Sequence, residues 1–219
     1  MRLATPPALC VLSLTCCLWA AALANPVHAQ TTFVVTSVAD DSDFDTGDGV
    51  CDTDDSVGDG PCTLHAAIEQ ANATANVDGS TPDRVELDIP GSGPHVIEPT
   101  SSTPDVDEAV VIDGTTETDY NGTPVVVLDS APNDRNFWLF IRGNGSTVRD
   151  LAVVGFNNQG INLGGDGGHT VAACYVGVRP DGSTPGNSGV GIVISGDSVD
   201  NLIGGPNCGP QHPLAPRVR

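Results

Sequence analysis

The pattern of apolar and polar positions repeats three times in the second half of the chain. Each repeat is a short apolar strand, a glycine-rich corner and a second apolar strand, and the first strands lie near Leu139, Ile161 and Ile192. Successive repeats are offset by 22 and 31 residues, and the longer offset contains the polar segment 179–187. Such a period is typical of solenoids, in which each coil buries its apolar face only against its neighbours. The pattern therefore predicts an all-β fold, a parallel β-helix.

The repeats also predict which side chains face the core. Aliphatic residues at alternate positions of the three first strands should point inward and stack from one coil to the next. These residues are Leu139, Ile141, Ile161, Leu163, Ile192 and Ile194.

Alternating apolar positions predict further strands earlier in the chain, at 32–38, 84–89, 95–97, 109–113 and 123–128. Segment 64–73 instead has a helical period, and Thr63 is placed to cap its first turn. The apolar face of this helix is formed by Leu64, Ala67, Ile68 and Ala71. A helix this short is marginal alone. We expect it to cap the open end of the β-helix, where strand edges would otherwise be exposed.

The N-terminal segment 1–29 has the features of a signal peptide. Arg2 precedes an apolar run over 8–24, and the run is followed by Val27-His28-Ala29, a pattern that signal peptidase accepts. The alternative is an N-terminal membrane anchor, but the run is short for a span. We expect a secreted or cell-surface protein with no transmembrane segment in the mature chain.

The charge balance excludes one class of partner. The chain has eight Lys and Arg residues against 28 Asp and Glu residues, a formal net charge of −20. A surface of this sign repels nucleic acid and anionic lipid and attracts cations. We therefore expect no nucleic-acid partner, although the acidity is equally explained by a saline habitat or by solubility alone.

Two cysteines enclose a short loop that is rich in glycine and aspartate. In an exported protein, Cys51 and Cys62 predict a disulfide. Two free thiols are the alternative. A zinc site is less favoured, because no histidine stands at ligand spacing.

The acidic segment 40–60 predicts a bound Ca²⁺ ion, the single cofactor expected from the sequence. Closely spaced carboxylates in a tight turn can surround Ca²⁺ with oxygen ligands, and the candidate ligands are Asp41, Asp43, Asp45, Asp48 and Asp52. The match to a calcium loop is imperfect, since Thr46 holds the position of the usual glycine and Asp52 that of the usual glutamate. The alternative is a solvated acidic loop without metal.

Two motifs in this region resemble the CSLREA domain. They are Asp48-Gly-Val-Cys51 and Cys62-Thr-Leu-His-Ala-Ala-Ile68. Segments 89–94, 111–116, 146–151 and 202–205 look like those that follow the signature in such proteins, so the resemblance covers most of 33–205. His65 and Ala66 depart from the Arg and Glu of the family signature, so any salt bridge that those residues make is expected to be absent. The resemblance implies an exported or surface-displayed right-handed parallel β-helix, usually part of a larger chain, and it brings no catalytic residues.

These observations divide the chain into four parts. They are the signal peptide at 1–29, a CSLREA-like cap with the acidic loop at 30–75, β-helix coils at 76–205 and an irregular tail at 206–219. The tail contains four prolines and no alternation. It predicts either a truncated sequence or a disordered end.

The function expected from sequence is that of an exported, non-enzymatic β-helix module used for display, adhesion or contact with an extracellular glycan or cell-surface polymer. The alternative is a fragment of a carbohydrate-active β-helix enzyme. A polysaccharide lyase needs a base, often Arg or Lys, beside calcium-binding acids. The chain has no Lys, and apart from Arg135 its mid-solenoid arginines are Arg142 and Arg149. A glycoside hydrolase needs paired carboxylates about 5–10 Å apart, and no aspartate pair lies on one predicted strand. No catalytic residue is therefore assigned.

Overall fold

The regular elements of the part of the chain that the structure describes are short strands, one α-helix and one 3-10 helix, Gly114–Thr116. The computed structural model describes residues 30–55, 60–76, 81–100, 104–130 and 139–205. The predicted signal peptide 1–29 and the predicted tail 206–219 lie outside these residues. The strands are β1 (Thr32–Val35), β2 (Asp83–Leu87), β3 (His95–Ile97), β4 (Val110–Asp113), β5 (Val126–Asp129), β6 (Leu139–Ile141), β7 (Thr147–Arg149), β8 (Ala152–Val154), β9 (Gln159–Leu163), β10 (Thr170–Ala172), β11 (Tyr175–Val176), β12 (Val190–Ile194) and β13 (Leu202–Ile203).

The strands form three sheets in which every pairing is parallel. The first sheet has the order β1-β2-β4-β7-β10-β13, the second β3-β5-β8-β11 and the third β6-β9-β12. From β4 to β13 the chain enters the first, second and third sheets in turn. Each return places a new strand beside the one laid down on the previous visit. The fold is thus mostly strand, in parallel sheets, with little helix.

The predicted offset between repeats is confirmed by the pairing of the third sheet. Leu139 pairs with Ile161, and Ile161 pairs with Ile192. The extra residues of the second repeat form a loop held by its own backbone hydrogen bonds. In one of these bonds Arg179 N donates to Ser183 O at 2.8 Å. The longer offset therefore leaves the strand register unchanged.

Aliphatic side chains from the three sheets meet in one core. In the first sheet, successive partners on the inner side are Phe33, Val85, Ile112, Val148 and Val171, and all of them are buried. Burial of these apolar side chains is the main stabilising contribution available to such a stack.

Four of the six predicted inward residues of the third sheet are fully buried, namely Leu139, Ile141, Ile161 and Leu163. Ile192 is partly buried and packs against the same core. Ile194 pairs with the buried Leu163 and lies on the same side of β12 as Ile192, but it is 47% exposed. The reason is that β12 is the last strand of its sheet among the described residues, so no strand there covers its free side.

The single α-helix of the described residues, α1 (Leu64–Ala73), begins and ends as predicted. The Thr63 side chain accepts a hydrogen bond from Ala66 N at 3.0 Å and so satisfies an amide of the first turn. Its apolar face packs against β1 and β2, the first strands of the first sheet. In the described part of the chain, no helix is long and apolar enough to cross a membrane.

The predicted disulfide between Cys51 and Cys62 is confirmed. Cys62 precedes α1 by two residues, and its backbone oxygen accepts hydrogen bonds from Thr36 N and Ser37 N. The bond therefore joins the acidic loop to the point where β1 and α1 meet. Cys174 is buried in the core, where its Sγ lies 3.6 Å from Val148 O.

We expect loss of this disulfide to destabilise the N-terminal part of the fold. Replacing Cys51 and Cys62 together by serine should lower the free energy of unfolding by about 2–3 kcal/mol, because the unfolded chain regains the freedom of a short loop. Urea denaturation of the oxidised wild type and of the double variant measures this difference. Rapid alkylation of both thiols in native, exported protein without reductant would contradict the prediction.

Candidate functional site

The acidic loop that precedes α1 lies against that helix. Asp43 N donates to Glu69 Oε2 at 2.8 Å, and Gln70 Nε2 donates to Thr46 O at 3.2 Å. Glu69 and Gln70 both belong to α1, so the loop is held along the middle of the helix. The predicted calcium loop therefore rests on a fixed support.

Three aspartate side chains of the loop accept hydrogen bonds from nearby backbone amides. The side chains of Asp43, Asp45 and Asp48 each accept a hydrogen bond from the amide two residues further on, at 2.9, 3.0 and 2.8 Å. These are Asx turns, which aspartate forms without any metal. Local turn formation thus explains part of the aspartate content of the loop.

Asp43 is the electrostatically unusual member of the loop. Burial, together with the nearby charges of Asp48, Asp52 and Glu69, raises the pKa of Asp43 to about 6, although the hydrogen bond from Asp45 N opposes the shift. Its Oδ2 is buried and has no hydrogen-bond partner. A carboxylate in this position is stabilised either by a proton or by a bound cation.

The structure brings together some of the five predicted calcium ligands. Asp43, Asp48 and Asp52 lie within electrostatic range of one another. Asp41 is exposed and contributes its backbone oxygen to Thr63 Oγ1 at 2.6 Å, and Asp45 is also exposed. Glu69 completes the charge cluster but was not predicted, because only the fold places the helix beside the loop. The Ca²⁺ site stays a prediction.

We expect Ca²⁺ to raise the melting temperature in a calcium titration at fixed ionic strength, by mass action on the folded state. In chelator at pH 7–8, Asp43→Asn should raise the unfolding free energy by about 1 kcal/mol, because a partly buried charge above its pKa is removed. The same variant should lose most of the calcium response.

Two controls separate binding from charge screening. Sodium chloride should not reproduce the calcium effect, and magnesium should substitute poorly because it demands a tighter octahedral shell. Asp55→Asn, which removes a charge outside the cluster, should keep the calcium response. No shift in melting temperature up to about millimolar calcium, the weak end of natural sites, would show that the loop is only acidic and solvated.

His65 supplies an ion pair where none was expected. Its Nδ1 lies 3.3 Å from Asp40 Oδ1, and its Nε2 lies 3.3 Å from Glu69 Oε1. Burial alone would lower the pKa of His65, but the two carboxylates outweigh burial and raise it. A protonated His65 is therefore a cation held between Asp40 and Glu69. The expected absence of a salt bridge made by the Arg and Glu of the CSLREA signature is not tested by these contacts.

Every arginine of the described residues is paired with aspartate. The pairs are Arg84 with Asp113, Arg142 with Asp105 and Asp107, Arg149 with Asp113, and Arg179 with Asp129. Arg84 also contacts Glu86 at 3.0 Å. The guanidinium groups of these arginines thus all form ion pairs with neighbouring carboxylates.

Asp113 is the centre of the most buried of these pairings. It is 0% exposed and accepts hydrogen bonds from Arg84, Arg149 and Thr115. Glu86, Asp113 and Arg149 are successive partners on neighbouring strands of the first sheet. The register of the sheet therefore places these charges together.

Asp150, Asp166 and Asp197 lie at or near corners between the sheets, and the first two have hydrogen-bond partners. Asp150 accepts a hydrogen bond from Tyr120 OH at 2.5 Å, and burial raises its pKa. Asp166 is exposed and accepts from Asn144 Nδ2 at 3.0 Å. Asp197 is exposed as well.

A second group of side chains, His95, Glu117 and Asp119, comes together at the turn between the first and second sheets. Sequence reasoning missed it, because the residues belong to segments whose proximity depends on the strand pairing.

Comparisons of the chain with protein-family models, with curated proteins and with solved structures give no match. The resemblance to the CSLREA domain therefore stays a prediction from sequence.

Proposed function

We propose that this chain is an exported, non-enzymatic β-helix module of a surface or secreted protein, and that it contacts an uncharged extracellular glycan in display or adhesion. The fold, the disulfide, the pairing of the arginines and the net charge each support one part of this proposal.

The strand order supports a right-handed parallel β-helix. Between β4 and β13 the chain passes through the three sheets in a constant order, and each strand pairs in parallel with its equivalent one circuit earlier. Crossover connections between parallel strands are almost always right-handed. A stack of this kind presents a long rigid face, which suits an extended ligand.

Export is supported by two features of the N-terminal region. The segment 1–29 has the composition of a secretory leader, and the bond between Cys51 and Cys62 is of the type that persists in oxidising compartments. The resemblance of 48–51 and 62–68 to CSLREA domains favours the same location.

The pairing of the arginines is the observation that carries the non-enzymatic part of the proposal. A lyase base must be free to take a proton from its substrate. The four described arginines are instead bonded to aspartate, and the sequence contains no lysine. With a net charge of −20, the surface also repels polyuronates, the usual lyase substrates.

The outer side of the third sheet offers a surface suited to sugar rings. Phe140, Asn162 and Val193 are successive strand partners there and are partly exposed. The Phe140 ring lies under the Arg142 guanidinium, 5.1 Å from ring centroid to Cζ, and beside Gly164. An aromatic face next to an amide can stack on a pyranose and hydrogen-bond its hydroxyls.

Binding to insoluble polymers tests the proposal. We expect the protein to sediment with a neutral glucan or xylan but not with polygalacturonate, and Phe140→Ala should weaken this binding. Phe44→Ala is the matched control, because Phe44 is 62% exposed in the acidic loop, away from the third sheet. It should bind as the wild type does.

The same samples test the enzyme alternative. Incubation with each polymer should release neither reducing sugar nor unsaturated product. Release of either product in proportion to protein concentration would replace the binding module with a carbohydrate-active enzyme. Absence of sedimentation with every polymer would overturn the glycan partner.

A further inference from the structure

Three metal-ligating side chains converge where the chain leaves the first sheet for the second. His95 begins β3, and Glu117 and Asp119 lie in the turn that follows β4. One donor atom from each residue can be chosen so that all three lie within 4.8 Å of one another. His95 Nε2 is 3.7 Å from Glu117 Oε2. The cluster thus combines one imidazole with two carboxylates.

The cluster contains buried polar atoms that lack hydrogen-bond partners. His95 is 6% exposed and Glu117 is 4% exposed. His95 Nε2 and Asp119 Oδ1 are both inaccessible and form no hydrogen bond. Buried polar atoms without partners are costly and therefore rare in folded proteins. Their occurrence in one cluster points to a group that satisfies them together.

The remaining carboxylate oxygens are held by the backbone. Glu117 Oε1 accepts a hydrogen bond from Ile89 N at 2.9 Å, and Asp119 Oδ2 accepts one from Gly93 N at 2.7 Å. His95 N donates to Val125 O at 2.8 Å. Hydrogen bonds from outer-shell groups hold metal-binding side chains in a fixed orientation. Each carboxylate is therefore fixed by one oxygen and keeps the other for an ion.

We propose that His95, Glu117 and Asp119 bind a divalent first-row transition metal, with Zn²⁺ as the ion that fits best. Zn²⁺ accepts imidazole nitrogen and carboxylate oxygen at about 2.0–2.2 Å, so small side-chain rotations bring the donors to bonding distance. Two carboxylates balance the charge of a dication. Ca²⁺ and Mg²⁺ are disfavoured, because they require more oxygen ligands and prefer them to nitrogen.

The site joins two segments that are distant in sequence. Residues 89–95 and 117–125 belong to successive passages from the first sheet to the second, and the ligands come from both. A bound ion would hold these two passages together from inside the turn. Three protein ligands leave a fourth position on a tetrahedral ion for water, but the burial of His95 favours a structural role.

A metal-free ion pair explains the cluster less well. The contact between His95 Nε2 and Glu117 Oε2, at 3.7 Å, is within ion-pair range but longer than a hydrogen bond. Such a pair would also leave Asp119 Oδ1 without a partner. The two explanations differ in a measurable way, since only the metal site predicts stoichiometric zinc binding.

Zinc binding by the chelator-treated and dialysed full chain tests the proposal. Calorimetric titration with Zn²⁺ should show one ion per chain. His95→Gln and Asp119→Asn should each weaken the affinity at least about tenfold, the lower bound for loss of even an outer-shell partner. Glu98→Gln is the matched control, because Glu98 is an exposed carboxylate that directly follows β3. Asp43→Asn, in the acidic loop, should also leave zinc affinity unchanged.

Hydrogen exchange measured on the wild type tests the proposal even if a variant fails to fold. Zinc should slow amide exchange in 89–95 and 117–125 and not in the acidic loop. Stoichiometric zinc with this localised protection, and with loss of affinity in the folded variants, supports the site. Absence of zinc binding, protection elsewhere, or variants that bind as tightly as the wild type would overturn it.

Discussion

Ile161→Ala should lower the free energy of unfolding by about 2–5 kcal/mol, the range for large-to-small changes in a closed core. Ile161 is 0% exposed and lies in the middle strand of the third sheet, between Leu139 and Ile192. The cavity left by the Ile161 side chain would lie between stacked side chains of both neighbouring strands. If the side chains of one strand moved in to fill it, space would open on the other side. Urea denaturation followed by far-ultraviolet circular dichroism measures the change.

Ile194→Ala is the matched control for this prediction. The residue has the same chemistry and belongs to the same sheet, but it is 47% exposed and has a described strand on one side only. We expect a loss of less than about 1 kcal/mol, since much of the side chain is already in water. Equal effects of the two changes would mean that coil stacking does not determine stability here.

The inner stacks could be predicted from sequence because each strand repeats the same periodicity. The offsets of 22 and 31 residues were read correctly, and the helix 64–73 has the predicted bounds. Both features depend on local signals, namely alternation, glycine corners and a capping threonine. Local signals of this kind do not depend on what surrounds the element.

The second sheet shows where this reasoning reaches its limit. Val127, Ala152 and Val154 are buried although their neighbours Leu128 and Val153 occupy the inner core. These outer side chains pack together, with Tyr175 against them. A strand that is buried on both faces has no alternation, so the sequence does not reveal which side is inner.

The metal cluster and the buried aspartate could not be predicted for a related reason. His95 is separated from Glu117 and Asp119 by more than twenty residues, and their proximity depends on the exact length of one circuit. From the sequence, Asp113 is predicted only to be the polar last residue of a strand. Only the strand register places it between Arg84 and Arg149.

Asp113→Asn should destabilise the protein by about 2–4 kcal/mol at pH 7. Removing one partner of a buried ion pair costs about 3–5 kcal/mol, and the estimate is lowered because the Arg84 and Arg149 side chains are 28% and 36% exposed. An asparagine amide at this position would also turn donor groups toward the guanidinium groups, which have no acceptor to offer. Urea denaturation of both proteins gives the difference.

The pH dependence of this difference follows from the direction of the pKa shift. Burial alone would raise the pKa of Asp113, but hydrogen bonds from Arg149 and Thr115 and the charge of Arg149 lower it below 3.8. A lowered pKa stabilises the fold above the unfolded value, and this contribution is lost as the pH falls through the folded pKa. The gap between wild type and Asp113→Asn should therefore be constant from about pH 5 to 7 and shrink below about pH 4.

Asp107→Asn provides the comparison that decides whether burial matters. Asp107 is also bonded to an arginine, Arg142, at 2.8 Å, but its side chain is 57% exposed. Exposed pairs contribute about 0–1 kcal/mol, so this variant should unfold almost as the wild type does at every pH. If the two variants lose equal stability, Asp113 acts as an ordinary surface charge. If only Asp113→Asn is destabilised, its ion pairs hold β2, β4 and β7 together, since its arginine partners lie on β2 and β7.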